Sequence, residues 1–335
     1  MRILHLLSSP VWSGPAEPVA LLAEAQRALG HAVSVAIDST RTGTGSEEPA
    51  APRLGALGLL DSRGLRLSTR DGAAGVWRDA RRLRTLEADV VHTHFSHDHW
   101  VTALSRHRGI RVRSFHAGRS LRAIRPPAAA YTVPTPELGS VLAEPWMVLP
   151  PLVPPTFRPP ADRAGLQASL DLTPPVIGMV STFQPSRRHE LALEAFGRVR
   201  ARLPRATLVL LGDGKLGPEL RSRAEALGLP VRFPGYQGGD SLLRWMQAMD
   251  ELWVLGLGND EAGRAALQGR AVGARVVGVH QGALSVWADA LLEAPTPEAL
   301  ARVALGEERR AVSMPEVRSV AEALLGLYAR AGARA

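Results

Sequence analysis

Residues 193–214, LEAFGRVRARLPRATLVLLGDG, hold a helix, a proline break and an apolar strand that ends on glycine. Proline resists helix and cannot donate, so the helix predicted over 189–203 stops before Pro204. Thr207–Leu211 is a continuous apolar run, the pattern of a strand covered on both faces. The same alternation extends outward in both directions. A strand is predicted at Val176–Val180. Downstream follow a helix at Pro218–Leu227, a strand at Val231–Phe233, a helix at Leu242–Met249 and a strand at Leu252–Leu255. A helix at Glu261–Val272 and a strand at Val276–Val279 complete the run. Such βαβ alternation implies a parallel, doubly wound sheet.

The first half repeats the pattern. Arg2–Leu7 and Ala32–Ile37 read as strands around a helix at Pro18–Leu29 that closes at Gly30. Ser39–Arg53 reads as a loop, Val76–Leu86 as a helix, and Asp89–His92, Arg111–Phe115, Tyr131–Val133 and Trp146–Leu149 as strands. Pro150, Pro151, Pro154, Pro155, Pro159 and Pro160 mark a linker. The expected α/β architecture is therefore two Rossmann-like domains, residues 1–160 and 161–313, facing a cleft beyond the carboxyl ends of their strands.

Length and composition agree. The 335 residues exceed one comfortable core, with 45% hydrophobic and 21% charged side chains. Cysteine is absent, which excludes disulfides and thiol chemistry. No apolar run is long enough to span a bilayer. The short apolar start is followed at once by Ser-Ser-Pro, which reads as a strand and not an export signal, so a cytoplasmic location is expected. The net charge is +8, and Arg106–Arg125 carries seven arginines with no acid. That stretch reads first as a solvated face and second as a contact for anionic lipid at the inner membrane surface. No nucleic-acid motif accompanies it.

Five segments could carry chemistry. Ser13-Gly14-Pro15 follows the first strand, where a glycine lets backbone approach a ligand at a helix start. Gly212-Asp213-Gly214-Lys215-Leu216-Gly217 fits G-x-G-x-x-G, but it lies in the second half and lacks the later acid of a nicotinamide fold. His92, His94, His97, His99 and His116 could suggest metal ligation. The alternative is a strand end, with His92 and His94 on opposite faces, feeding a polar loop; His116 would reach the cleft. Arg187 and Arg188, near a helix start, suit a diphosphate. Gly256–Gly263 leads into a helix carrying Gln268, with Asn259 or Asp260 as a plain cap or as a contact for sugar hydroxyls.

Together these segments resemble the family 4 glycosyltransferases, which have the GT-B fold, over nearly the whole chain. RALGHAVSV is similar to the family's N-terminal signature, ADVVHTHF to its Asp-aliphatic-aliphatic-His-x-His strand, and RSFHAG to its later strand-end histidine. LEAFGRVRARLPRATLVLLGDG is the most specific match, and VRFPGY, AMDELWVL and AVGARVVG follow in the family's order. The resemblance implies retaining, metal-independent transfer of a sugar from a nucleotide-diphosphate donor, with no cofactor, to a glycan or lipid-linked acceptor. It implies that the helix within 314–332 crosses back to the first domain. It assigns His116 and Asp260 to the transferred sugar, and Gly14, Arg187, Arg188, Gly212, Gly263 and Gln268 to the donor.

The contact residues depart from the family pattern. Ser181-Thr182 stand where Gly-Arg is usual, and Arg187-Arg188 replace Lys-Gly. Asp260 and Gln268 replace the E-x7-E pair, and Pro15 replaces a second glycine. An active transferase is the favoured expectation; a non-catalytic GT-B protein serving as scaffold or regulator is the alternative.

Overall fold

The computed structural model describes residues 1–12, 14–40, 48–123, 126–258 and 260–333. The chain divides into two compact units. One is Met1–Leu152 with Pro315–Ala335, and the other is Val153–Met314, so the division falls inside the proline-dense segment.

The first unit runs β1 (Arg2–Leu7), α1 (Ala16–Ala28), β2 (Ala32–Ile37), α2 (Ala50–Ala56), α3 (Gly72–Thr85), β3 (Val90–Thr93), α4 (Ser96–Ser105), β4 (Ile110–Ser114), β5 (Ala130–Val133), α5 (Pro136–Gly139) and β6 (Trp146–Val148). Its six strands are parallel, in the order β2-β1-β3-β4-β5-β6.

The second unit runs α6 (Arg163–Ser169), β7 (Val176–Val180), α7 (His189–Arg202), β8 (Thr207–Leu211), α8 (Gly217–Ala226), β9 (Val231–Gly235), α9 (Gly239–Gln247), β10 (Glu251–Val254), α10 (Arg264–Ala271), β11 (Arg275–Val279), α11 (Leu284–Trp287), β12 (Ala290–Leu292) and α12 (Pro297–Val303). Its parallel sheet has the order β12-β11-β10-β7-β8-β9. The strand order reverses between β7 and β10. In doubly wound sheets that switch point opens a crevice at the strands' carboxyl ends. The last helix, α13 (Val317–Arg330), belongs to the first unit, where Val320, Ala321, Leu324, Leu327 and Tyr328 join Ile3, Leu22, Val90 and Val112 in one core.

Four expectations about the first unit are corrected. The residues predicted as a polar loop after His94 form α4, with Asp98 and His99 fully buried. Asp98 accepts from the backbone amides of Ser8, His94 and Phe95, so it locks the turn that starts the helix. Ala50–Ala56 is helical although the loop was drawn to Arg53; residues 41–47 of that loop, like Ser13 and Asn259, lie outside the described residues. The arginine-rich stretch is not one solvated face. Arg106, Arg108 and Arg119 are exposed, but Arg113 is 1% exposed and Arg111 is half-buried. Both sit on β4, between β3 and β5, where alternate side chains must enter one helix layer or the other. Arg113 donates to Ser96 Oγ at 3.1 Å and lies 4.6 Å from the Phe115 ring centre. Arg125, at the end of the stretch, lies outside the described residues.

His92 and His94 share a face, against the expectation that they oppose each other, because residues two apart on a strand point the same way. Their rings stack with centres 4.5 Å apart. His5, in register with His92 on β1, completes a buried cluster under α1 and α13. His5 Nε2 donates to Gln26 Oε1 at 2.9 Å, which leaves Nδ1 to accept from His94 Nε2 at 3.1 Å. Gln26 Nε2 donates to the Tyr328 hydroxyl at 3.4 Å. That hydroxyl donates to His92 Nδ1 at 2.7 Å, and His92 Nε2 donates to Ser114 Oγ at 2.8 Å. The ligand atoms of His5, His92 and His94 lie within 4.8 Å of one another. A tetrahedral ion about 2.1 Å from each nitrogen needs them roughly 3.4 Å apart. With both His92 nitrogens already bonded, the cluster is built as a hydrogen-bonded network. Tyr328→Phe is expected to leave two buried polar groups without a partner and cost about 1–3 kcal/mol, read as a lower midpoint of urea denaturation.

Candidate nucleotide-sugar site

The carboxyl ends of β7 and β10 border a pocket of about 130 Å³ at the switch point, lined by Ser181, Arg187, Gly256, Asp260, Gly263 and Arg264 among others. Three elements assemble it. Ser181 directly follows β7. Arg187 closes a short 3-10 turn before α7. Asp260 to Arg264 form the turn and first residue of α10.

Arg187 is held from below. Its NH1 donates to the Gly256 carbonyl at 2.8 Å. Two glycines make room for that packing. A Cβ at Gly256 would stand 2.0 Å from the Ser186 carbonyl, and one at Gly258 would stand 2.3 Å from the Arg187 guanidinium. Burial lowers the guanidinium's pKa and the Asp260 carboxylate opposes that shift, so Arg187 stays cationic. Asp260 Oδ1 accepts from the Ala262 amide at 3.0 Å, which fixes the turn into α10. That helix begins at Arg264, later than the predicted Glu261, with Gly263 as its cap at φ +72. Burial lowers the Arg264 pKa to about 10, still protonated at neutral pH. Two guanidiniums and one carboxylate leave this pocket suited to an anion.

Sequence neighbours part company here. Arg188 does not clamp beside Arg187. It lies in the left-handed region at φ +57, which turns its side chain away, and it donates to the Leu255 carbonyl. It borders a separate pocket of about 470 Å³ with Val279, His280 and Gln281. Gly212 and Gly214 lie behind the pocket, at φ +147 and +152. A Cβ there would stand 2.0 Å from the Ser181 carbonyl and 2.6 Å from the Phe183 carbonyl, so close packing explains the glycine repeat. Gln268 sits one turn beyond Arg264 on the same helix, 4% exposed, with its Nε2 buried and unbonded.

Two predicted residues, His116 and Gly14, lie in the first unit at its own strand ends. His116 follows β4, half-buried, with its ring centre 5.9 Å from Phe95 and 6.1 Å from His94. Gly14 has φ +52 and open space where a Cβ would be, so glycine serves the turn there and not a tight contact.

Neither His189 nor Arg264 belongs to a motif legible in the sequence. His189, the first residue of α7, is 1% exposed, with Nε2 3.0 Å from Ser181 Oγ. Burial first, and then Arg187, lower its pKa to about 4.

The family model "Glycosyl transferases group 1" matches residues 174–306, and "Glycosyltransferase Family 4" matches residues 12–143. The chain belongs to the glycosyltransferases that these two domains describe, with the GT-B fold. No curated protein matches its sequence. Among solved structures it is similar to Anabaena Alr3699/HepE in complex with UDP and glucose, at TM-score 0.73 and 17% identity over 99% of this chain and 93% of that one. Sucrose-phosphate synthase from Thermosynechococcus elongatus aligns at TM-score 0.68 and 16% identity, covering 99% and 96%. AviGT4, a glycosyltransferase involved in avilamycin A biosynthesis, aligns at 0.66 and 16%, covering 98% of each chain. At these identities the likeness is one of fold.

Proposed function

We propose that the chain transfers a hexose from a nucleoside-diphosphate sugar to a glycan or lipid-linked acceptor, with retention of configuration and without a metal. The observation that carries this reading is the anion-suited pocket at the β7/β10 switch point, where Arg187 and Asp260 meet at a helix start. UDP bound to the structurally similar HepE supports a diphosphate there. Arg187 holds the diphosphate and neutralises charge as it leaves. Asp260 and the backbone at Gly263 engage the sugar, and Gln268 bonds a ribose hydroxyl through its unbonded amide. His116 and Gly14, at the first unit's own strand ends, are assigned to substrate contact on that unit. Arg188, turned to its own pocket, takes a supporting part, and Gly212 serves through loop packing.

A cytoplasmic location fits this chemistry. The exposed Arg106, Arg108 and Arg119 offer a contact for an anionic membrane surface, and no helix among the described residues is long and apolar enough to cross one.

Calorimetric titration with UDP, GDP and ADP tests the reading. One of them is expected to bind in the micromolar range with EDTA present. Silence toward all three sinks it.

A further inference from the structure

Ser181 stands where a glycine is usual, and His189 opens the helix that follows. The two side chains are partners across the turn, with His189 Nε2 3.0 Å from Ser181 Oγ. Ser181 lines the pocket with Arg187, while His189 lies behind it, 1% exposed. The imidazole is held edge-on by Phe183, with ring centres 4.9 Å apart. Its Nδ1 is buried and bonded to nothing.

That last atom decides which way the pair is polarised. A neutral imidazole carries one proton. On Nδ1 it would be a buried N–H without an acceptor, beside the Arg187 cation that already lowers the ring's pKa. On Nε2 it donates to Ser181 Oγ and leaves Nδ1 as a bare lone pair, the cheaper of the two orphans. In that tautomer the serine's own proton is free to turn toward the pocket. An α7 N-terminus and a cationic Arg187 make the same space favourable to an anion.

We propose that Ser181 and His189 form a neutral donor relay, in which His189 N–H holds the serine oxygen and the Ser181 O–H binds a phosphate oxygen of the nucleoside diphosphate. Ser181 touches the ligand, and His189 is a positioning residue acting through it. The relay rests on the nucleotide-sugar reading above and deepens it. It supplies a donor in the strand-end loop where family members usually place Gly-Arg and this chain has Ser181-Thr182. No bond forms or breaks.

The test is calorimetric UDP affinity of the full chain and four variants: Ser181→Ala, His189→Leu, His189→Gln and Ser181→Ala with His189→Leu. Loss of a hydrogen bond to a charged group lowers affinity about tenfold or more. The relay predicts that loss for each of the first two, no further loss in the double variant, and recovery to within about threefold in His189→Gln, whose amide still donates. A purely structural histidine would not be rescued by glutamine. Ser181→Ala binding UDP as the unmodified chain does would overturn the relay and leave the nucleotide reading intact. Additive losses, or a glutamine variant as weak as the leucine one, would overturn it too. Should His189→Leu fail to fold, the Ser181→Ala affinity alone decides. An unmodified chain that binds none of UDP, GDP and ADP overturns both.

Discussion

Arg187→Ala is expected to lower kcat/KM for nucleotide-sugar turnover about a thousandfold, about 4 kcal/mol of transition-state stabilisation. The magnitude follows from where the guanidinium sits. It is anchored to the Gly256 carbonyl, so it is already ordered before a ligand arrives, and little side-chain entropy remains to be lost. Its removal would also take one of the pocket's two guanidiniums away from the Asp260 carboxylate and leave the pocket less favourable to an anion. Arg187→Lys is expected to recover only part of the loss, since an ammonium cannot reach both the carbonyl and two phosphate oxygens as a planar fork does. Steady-state kinetics with the preferred donor checks this. Arg188→Ala, by contrast, should cost far less, because that side chain borders a different pocket.

The second large effect is on folding. Stability is expected to fall steeply between pH 6.5 and pH 4. His5, His99 and His189 each titrate near 4 in the folded chain, chiefly because burial opposes their charge, and His92 and His94 are lowered as well. An unfolded histidine titrates near 6.5, so between the two values the unfolded chain binds more protons. The contribution is complete above pH 6.5 and is lost as pH falls toward 4. For the fully buried His5 it amounts to about 3 kcal/mol. Asp98 and Glu251 shift the other way, because burial raises both, and they offset part of the loss. Urea denaturation at half-unit steps from pH 8 to pH 4 measures the net effect. A flat profile across that window would contradict the neutral-imidazole core.

The scaffold was legible because its signal is periodic. Buried parallel strands such as Thr207–Leu211 are apolar throughout, and prolines such as Pro204 punctuate the helices. The helix at Ser96–Ser105 was not, since its first turn is Ser-His-Asp-His and reads as loop until Asp98 is known to bond three amides. The arginine stretch misled for a related reason. Charge alone suggests a surface, yet a strand with neighbours on both sides buries whatever residue it carries, and Arg113 is there.

The site was half legible. Arg187 and Asp260 stand at the βα turns that the sequence points to, and both line the switch-point pocket. Adjacency suggests that Arg188 pairs with Arg187, but the left-handed backbone at Arg188 itself turns the two side chains apart. Neither Ser181 nor His189 matches a motif; their contact comes from a turn whose geometry no spacing rule encodes. The available clue was the Ser181 hydroxyl, standing where the family resemblance leads one to expect glycine.

The most direct test is a crystal structure of the full chain with UDP. The account predicts the diphosphate at the carboxyl ends of β7 and β10, with phosphate oxygens within hydrogen-bond reach of the Arg187 guanidinium and the Ser181 hydroxyl. UDP bound elsewhere on the chain, with Arg187 still directed only at the Gly256 carbonyl and the switch-point pocket holding solvent, would contradict it.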